Sequence, residues 1–113
     1  MDIESLRDYC LSLPVTSEGI KYGDQLCFMV ARKVFCSSNL KNLDKAAFKA
    51  GAEAFEALCD RPGIGPAPYG GATFHWVQVS GFEWLEAQEW RHYLRQAYDL
   101  VKMRLPKKIQ ETL

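Results

Sequence analysis

The sequence lacks the residue patterns that mark most enzymes and metal proteins. Its four cysteines form no Cys-x-x-Cys pair and have no histidine at ligand spacing, which argues against a zinc site. Its glycines match neither the GxGxxG nor the GxxxxGK[ST] pattern of phosphate-binding loops. Because no serine or cysteine stands in a nucleophile motif, we expect no catalysis, no metal and no organic cofactor.

Long apolar runs are also missing. No stretch reaches transmembrane length and no signal-peptide core is visible, so we expect a cytoplasmic protein with reduced thiols. The chain of 113 residues, 48% apolar and 25% charged, fits a single globular domain over residues 1–113. Each cysteine has apolar neighbours and is expected to be buried: Cys10, Cys27, Cys36 and Cys59.

Net charge is absent as well, since 14 basic residues balance 14 acidic ones. No global charge therefore draws the protein to nucleic acid. The signs nevertheless alternate in blocks: residues 21–49 carry six basic and two acidic groups, and residues 89–113 carry six and three. If these two basic blocks share a face, the neutral total conceals a dipolar surface.

Helical periodicity marks both ends of the chain. Apolar residues recur at spacings of three and four after Trp90, which predicts a long amphipathic helix from near Glu86 to Leu105, ended by Pro106. Lys107 and Lys108 would then meet its negative end. A first helix is expected between a cap at Asp2 and Pro14, with an apolar stripe of Ile3, Leu6, Cys10 and Leu13.

Strand patterns fill much of the region between these helices. The polar stretch Thr16–Asp24 contains two glycines and is predicted to be a loop. Gln25–Ala31 and Val34–Cys36 are rich in strand formers, and the intervening Arg32 and Lys33 predict a hairpin with a basic tip.

The segment Asp44–Asp60 fits two interpretations. Its alanine content favours one helix, but Gly51 costs such a helix about 1 kcal/mol relative to alanine. The alternation up to Ala50 also fits a strand. We predict a third strand ending at Ala50, followed by a short helix over Ala52–Cys59.

Proline and glycine dominate the next segment. Arg61–Gly71 is predicted to be a loop, with at most one short strand around Pro68–Tyr69. Phe74–Ser80 alternates as a strand, and the phase switch at Trp76–Val77 suggests a bulge or a strand with two apolar faces. The order α-β-β-β-α-(β)-β-α predicts an α+β two-layer sandwich, a mostly antiparallel sheet with helices on one face. The expected core comprises Ile3, Leu6, Phe28, Val30, Phe35, Trp76, Leu94, Tyr98, Val101 and Leu105.

Three further groups of residues have ordinary structural interpretations. His75 and His92 lie on different elements, and neither has a nucleophile partner. The carboxylates Glu53, Glu56 and Asp60 at helical spacing are typical of a solvated helix face. Aromatic residues are frequent in the last third, where they line either a ligand groove or the core: Trp84, Trp90, Tyr93 and Tyr98.

An ordered set of short motifs resembles the MmcQ/YjbR family. The set runs from about residue 4 to residue 112 and comprises Tyr22-Gly23, Phe28–Val30, Arg32–Phe35, Phe48–Ala50, Arg61–Ile64, Pro66–Tyr69, Trp76–Val79, Ala97–Val101 and Leu105–Lys108. The resemblance implies a YjbR-like α-β(3)-α-β(2)-α fold, related in shape to CyaY and to secretion chaperones. Proteins of the family are commonly named DNA-binding, on the idea that two β-hairpin wings grip a duplex.

This chain departs from the family pattern at two places. Ala97 stands where relatives usually have serine, so no hydroxyl role is carried over there. Between Tyr69 and Trp76, where relatives often carry basic residues, the sequence reads Gly-Gly-Ala-Thr-Phe-His. If this segment is the second wing, it has lost its cations.

The resemblance and the charge blocks lead to two function hypotheses. The first is a non-enzymatic protein that binds double-stranded DNA weakly and without sequence preference, because clustered cations neutralise phosphates whatever the net charge. The alternative is a module that binds a protein partner or a small ligand, as the secretion-chaperone shape implies. No membrane is expected as a partner, and we expect a monomer or a weak homodimer. The cations expected to contact DNA are Arg32, Lys33, Lys41, Lys45, Lys49, Lys102, Arg104, Lys107 and Lys108.

Overall fold

The computed structural model describes the whole chain, residues 1–113. The strands are β1 (Thr16–Lys21), β2 (Gln25–Val30), β3 (Lys33–Asn39), β4 (Asn42–Lys49), β5 (Ile64–Pro66) and β6 (Trp76–Val79). The helices are α1 (Ile3–Ser12), α2 (Ala52–Cys59), α3 (Gly71–Phe74), α4 (Ala87–Met103) and α5 (Lys107–Gln110), with a 3₁₀ turn over Phe82–Trp84. No helix is both long and apolar enough to cross a membrane.

The six strands form one sheet in the order β1-β2-β3-β4-β6-β5, and every pairing is antiparallel. Helices α1 and α4 pack on one face of this sheet, where their apolar stripes meet the buried side chains of β2, β3 and β4. The predicted α+β sandwich is therefore confirmed. The ambiguous segment is also resolved as predicted, since β4 ends at Lys49 and α2 spans Ala52–Cys59.

The prediction of a loop before β2 is wrong, because Thr16–Lys21 forms the edge strand β1. Three residues, Tyr22–Asp24, join β1 to β2, and the first two of them have left-handed backbone (φ 54° and 85°). The polar side chains of β1 fit an edge strand because most of them face water. Glu18 also accepts two hydrogen bonds from the guanidinium of Arg7, at 2.7 and 2.8 Å, which ties β1 to α1.

The proline- and glycine-rich segment contains more structure than its composition indicates. Its short strand is β5 at Ile64–Pro66, so the predicted position at Pro68–Tyr69 is wrong. The chain then makes one helical turn, α3, and β6 begins only at Trp76, two residues later than predicted. His75 joins α3 to β6 with a left-handed φ of 56°.

Trp76 does not belong to the core, contrary to the prediction. Val77 and Val79 are fully buried toward the helices, so Trp76 and Gln78 point to the opposite face of the sheet. Of the two interpretations of the phase switch at Trp76–Val77, the bulge is wrong, because the register of β4 and β6 does not shift there. The register shifts instead opposite Phe28 and Met29, where the extra residue of β3 lets both Phe35 and Cys36 face the helices.

The remaining predicted core residues lie between the helices and the sheet. Leu6, Phe28, Val30, Phe35, Leu94 and Tyr98 are fully buried, Leu105 is nearly so, and Ile3 and Val101 pack partly buried at its margin. Helix α4 supplies the largest surface, because Trp90, Leu94, Ala97 and Tyr98 form its buried stripe. The Tyr98 ring packs edge-on against Phe35, and its hydroxyl donates to the Pro14 carbonyl at 2.8 Å.

Helix α4 begins at a reciprocal cap. Glu86 is the N-cap residue, and the Glu89 carboxylate accepts from the Glu86 backbone N–H at 3.0 Å. The same carboxylate accepts from the Arg61 guanidinium at 2.7 Å. The hydrogen bond from Arg61 holds the pKa of Glu89 below its ordinary value. The start of α4 is thereby fastened to the end of α2.

The Glu89→Gln variant should show a small, pH-dependent loss of stability. Glutamine keeps the oxygen that accepts from Glu86 but loses the charge paired with Arg61. Folding lowers the pKa of Glu89, so the ionised carboxylate stabilises the folded protein. This contribution is fully present at a pH above the pKa of the unfolded chain, about 4.3, and is lost as the pH falls through the lower pKa of the folded protein. Both side chains are about one-third exposed, so we expect a cost of about 0.5 kcal/mol near neutral pH.

Urea unfolding of the wild type and of Glu89→Gln, near neutral pH and well below pH 4, measures this difference. The gap between the two midpoints should shrink at the acidic pH. A gap of the same size at both pH values would show that the charge of Glu89 is not what stabilises the contact.

Candidate nucleic-acid interface

The turn between β2 and β3 presents two cations. Val30 and Lys33 pair across the hairpin, and the central residues Ala31 and Arg32 have φ values of 46° and 71°. Such left-handed backbone is uncommon for residues other than glycine, asparagine and aspartate. The conformation closes the turn in two residues and leaves the side chains of Arg32 and Lys33 exposed at its tip.

The C-terminal end of α4 lies beside a second set of cations. Helix α4 ends at Met103, shortly before Pro106 as predicted, but a further short helix, α5, starts directly after this proline and contains Lys107 and Lys108. The side-chain amide of Gln110 donates to the carbonyls of Met103, at 3.1 Å, and Leu105, at 2.7 Å. These two bonds satisfy carbonyls at the end of α4 and hold α5 against it.

A pocket of about 370 Å³ joins these two parts of the chain, and we call it the basic pocket. It lies at the end of the sheet where β3 begins, β4 ends and β6 begins, and the C-terminal end of α4 closes one side. Three cations come together in it although they are far apart in sequence. Its lining residues are Lys33, Val34, Lys49, Phe74, Trp76, Val101, Arg104, Leu105 and Pro106.

Lys49 is the most unusual of the three cations. Its side chain projects from the sheet face opposite the core, yet only 6% of the residue is exposed, and Phe74 and Trp76 lie beside it in the lining of the pocket. The ammonium donates a hydrogen bond to the carbonyl oxygen of Phe74. Burial lowers the pKa of Lys49, and the nearby positive charge of Arg104 lowers it further.

None of the three cations in the basic pocket has a carboxylate within ion-pair distance. The four ion pairs of the protein lie elsewhere: Arg7–Glu18, Lys41–Asp24, Arg61–Glu89 and Arg95–Asp99. Three more cations are likewise unpaired and lie close in sequence to residues that line the pocket: Arg32, Lys107 and Lys108. The two basic blocks of the sequence thus do meet on one surface.

The predicted cations do not all share this surface. Lys41 and Lys45 lie near the β3–β4 turn, at the opposite end of the sheet, and Lys41 approaches Asp24 at 3.7 Å. The length of β3 separates that turn from Lys33 by roughly 20 Å. Lys102 is near the basic pocket in sequence, but its ammonium lies over the Tyr98 ring, 5.8 Å from the centroid.

Lys41 and Lys45 border a second and larger concavity, which we call the open-face groove. It has a volume of about 930 Å³ and lies on the sheet face that carries no long helix, between that face and the segment Ala67–Gly71. Serine, asparagine and glutamine side chains make much of its floor. Tyr22 and Tyr69 stand at its margin, almost fully exposed.

Sequence reasoning missed the two aromatic walls of the basic pocket, Phe74 and Trp76. The one available signal was the phase switch at Trp76–Val77, which we interpreted as a bulge or a strand with two apolar faces. It marks instead the start of β6, where Trp76 pairs with Lys49 across the sheet and both side chains leave the same face. Of the aromatic residues predicted to line either a groove or the core, Trp90 and Tyr98 are buried in the core and Tyr93 packs against it, stacked on Phe48. Trp84 is partly exposed and lines neither pocket.

The cysteines and histidines offer no reactive arrangement. Burial raises the pKa values of Cys27, Cys36 and Cys59, which favours the neutral thiol over the nucleophilic thiolate. The two histidine rings pack against aromatic neighbours, His75 on Phe55 and His92 on Tyr93. No group of three histidine, cysteine or carboxylate side chains has the geometry to hold a metal ion.

These elements define a class of protein: an antiparallel sheet covered on one face by its first and last long helices, with cations gathered at one end. The chain belongs to the YjbR family, whose model matches residues 11–100. This membership confirms the resemblance seen in the sequence motifs. Comparison with curated proteins gives no match.

Two solved structures share the fold. The crystal structure of the Deinococcus radiodurans protein DR2400, assigned to domain family DUF419, is 22% identical with a TM-score of 0.84. The match covers 98% of this chain and 86% of that one. A structural-genomics target from Pseudomonas syringae is 21% identical with a TM-score of 0.66, covering 88% of this chain and 98% of that one. At these identities the similarity establishes the fold alone.

Proposed function

We propose that this protein binds double-stranded DNA through the phosphate backbone, with the cations at the end of its sheet where the basic pocket lies. We call this end of the sheet the basic end. The observation that carries the proposal is the meeting of the β2–β3 turn with the end of α4, without any carboxylate in ion-pair contact. Phosphates bind wherever cations cluster, and a protein with zero net charge provides such a cluster by segregating its charges. The contacts are proposed to come from Arg32, Lys33, Lys49, Arg104, Lys107 and Lys108.

The proposed binding is blind to sequence. Base readout in the major groove needs a helix or a two-stranded ribbon with side chains that reach the base edges. At the basic end the hairpin tip carries only Arg32 and Lys33, and α5 has four residues, so the contacts are to phosphates. In this proposal the β2–β3 hairpin is the one charged wing, because the segment between Tyr69 and Trp76 lacks cations.

Fluorescence anisotropy of a labelled duplex at about 50 and 200 mM salt tests the proposal. Four phosphate contacts predict a loss of affinity of about 150-fold across this range, and six predict about a thousandfold or more. The variant Lys33→Glu/Lys107→Glu should abolish saturable binding. Its matched control is Lys41→Glu/Lys45→Glu, which makes the same charge change at the other end of the sheet and should retain binding within about threefold.

Two results would contradict DNA binding at the basic end. One is the absence of saturable binding at the lower salt concentration. The other is an equal loss of affinity in both double variants, which would show that net charge matters and position does not.

A second candidate function rests on the open-face groove. Its volume of about 930 Å³ and the exposed aromatic side chains at its margin are typical of a site that binds a small ligand or an extended protein segment. In this alternative the protein is a binding module without enzymatic activity. The Lys41→Glu/Lys45→Glu variant then changes the functional surface, and wild-type protein shows no affinity for DNA.

A further inference from the structure

Lys49 carries a charge that the protein itself does not balance. Moving an ammonium out of water is costly unless an opposite charge and hydrogen bonds replace the solvent. An ammonium has three N–H donors, and the Phe74 carbonyl takes one of them. No carboxylate of this chain lies within ion-pair distance of Lys49. The charge that acts on its ammonium is that of Arg104, which repels it.

The other two cations of the basic pocket are free to move toward a ligand. Lys33 and Arg104 are both exposed, and neither side chain makes a hydrogen bond or an ion pair in the protein. A guanidinium suits an oxyanion especially well because its planar N–H groups bind two oxygens at once. The pocket therefore combines one fixed cation at its wall with two adjustable ones at its rim.

We propose that the basic pocket binds the terminal phosphate of a phosphomonoester, with Lys49 and Arg104 contacting the phosphate oxygens and Lys33 closing over them. A phosphomonoester carries a charge near −2 at neutral pH, whereas a phosphodiester of the DNA backbone carries −1. Three converging cations match the dianion better. The recessed position of Lys49 also favours a chain end, which can insert, over an internal phosphate of a duplex.

The size and the walls of the pocket extend this assignment beyond the phosphate. A volume of about 370 Å³ exceeds what a phosphate group fills and lies within the range of small-ligand sites. Trp76 and Phe74 line it next to Lys49, and aromatic rings are the surfaces on which bases stack. The ligand class is thus a 5′-phosphorylated nucleotide. Where this nucleotide is the phosphorylated end of a DNA strand, the inference rests on the proposed function. A free mononucleotide is the second source of the same phosphate and base.

The first arm of the test uses inorganic phosphate as the probe. Two-dimensional ¹H–¹⁵N spectra report the indole N–H of Trp76 during a titration, against chloride at matched ionic strength and about pH 8, where the phosphate dianion predominates. The Trp76 signal should shift and saturate, whereas the indoles of Trp84 and Trp90, which lie outside the pocket, should not. Lys49→Met and Arg104→Met should each weaken binding at least tenfold, and Lys41→Met should not change it.

Arg104→Met keeps this arm decisive if Lys49→Met fails to fold, because Arg104 is exposed and makes no side-chain contact that the fold needs. A Trp76 signal that does not saturate would overturn the proposal. So would equal affinity in wild type and Arg104→Met.

The second arm compares duplexes with 5′-phosphate and 5′-hydroxyl ends, together with a 5′-mononucleotide. Wild type should bind the phosphorylated duplex at least fivefold more tightly, and Arg104→Met should lose this preference. If neither duplex binds but the mononucleotide and phosphate do, the pocket assignment stands and DNA binding is refuted. If both duplexes bind equally and phosphate does not bind, DNA binding stands and the pocket assignment is refuted.

Discussion

The Leu94→Ala variant is expected to lose about 3 kcal/mol of unfolding free energy. Leu94 lies in the middle of the buried stripe of α4 and is fully buried against the sheet. Its neighbours on the stripe, Trp90 and Tyr98, are held by hydrogen bonds to the carbonyls of Phe82, at 3.0 Å, and Pro14, at 2.8 Å. Because these rings are fixed, the space left by the leucine should remain a cavity, and leucine-to-alanine changes that leave cavities cost about 3–5 kcal/mol.

Val101→Ala serves as the matched control on the same helix. Val101 is only partly buried, so we expect its truncation to cost about 1 kcal/mol, less than that of Leu94, although the sequence placed both residues in the core. Urea unfolding followed by circular dichroism gives both midpoints and slopes. An unchanged midpoint for Leu94→Ala, or equal losses in the two variants, would contradict the role assigned to α4.

The Gly63→Ala variant is expected to be destabilised by a similar amount, about 3 kcal/mol, for a different reason. Gly63 has a left-handed φ of 76°, which costs a residue with a side chain about 1–2 kcal/mol. An added Cβ would also overlap the indole of Trp84. Neither side yields easily, because Ser80 donates twice to the Gly63 carbonyl, through N and Oγ at 2.9 Å each, and Arg61 donates to the Trp84 carbonyl at 3.0 Å.

Gly65→Ala is the control, two residues further along the chain. A Cβ at Gly65 meets no atom within 4 Å, and its backbone is not left-handed, so we expect a change of no more than about 0.5 kcal/mol. A third variant separates strain from overlap. Gly63→Ala/Trp84→Ala should lose less than the sum of the two single changes, because the overlap is gone. Additive losses would show that the indole does not restrict position 63.

Regular periodicity made the long elements predictable. Helix α4 shows an apolar stripe, a stop at Pro106 and a start near Glu86, and the structure places its ends within two residues of those predicted. Edge strand β1 escaped prediction because its polar residues and Gly19 resemble a loop, and only pairing with β2 makes them a strand. The phase of β6 was misassigned because Trp76 is large and apolar but faces away from the core.

The candidate site was predictable only as a set of cations. Charge blocks identified Lys33, Lys49 and Arg104 as members of basic regions, but a sequence does not say which cations share a pocket. Lys49 donates to the carbonyl of Phe74, a residue 25 positions away that follows a segment whose proline and glycine content hides its conformation. The same uncertainty placed Lys41 and Lys45 in one group with cations roughly 20 Å away.

The two outer strands of the sheet also govern how the molecules behave when they are crowded together. An outer strand with free N–H and C=O groups is a template on which another chain can add and begin a fibre. At one side β5 has three residues and ends in Pro66, which has no N–H to offer. At the other side β1 carries the charges of Glu18 and Lys21, and the first is already bound by Arg7. Growth of the sheet by strand addition is therefore disfavoured at both margins, which protects the protein from aggregation.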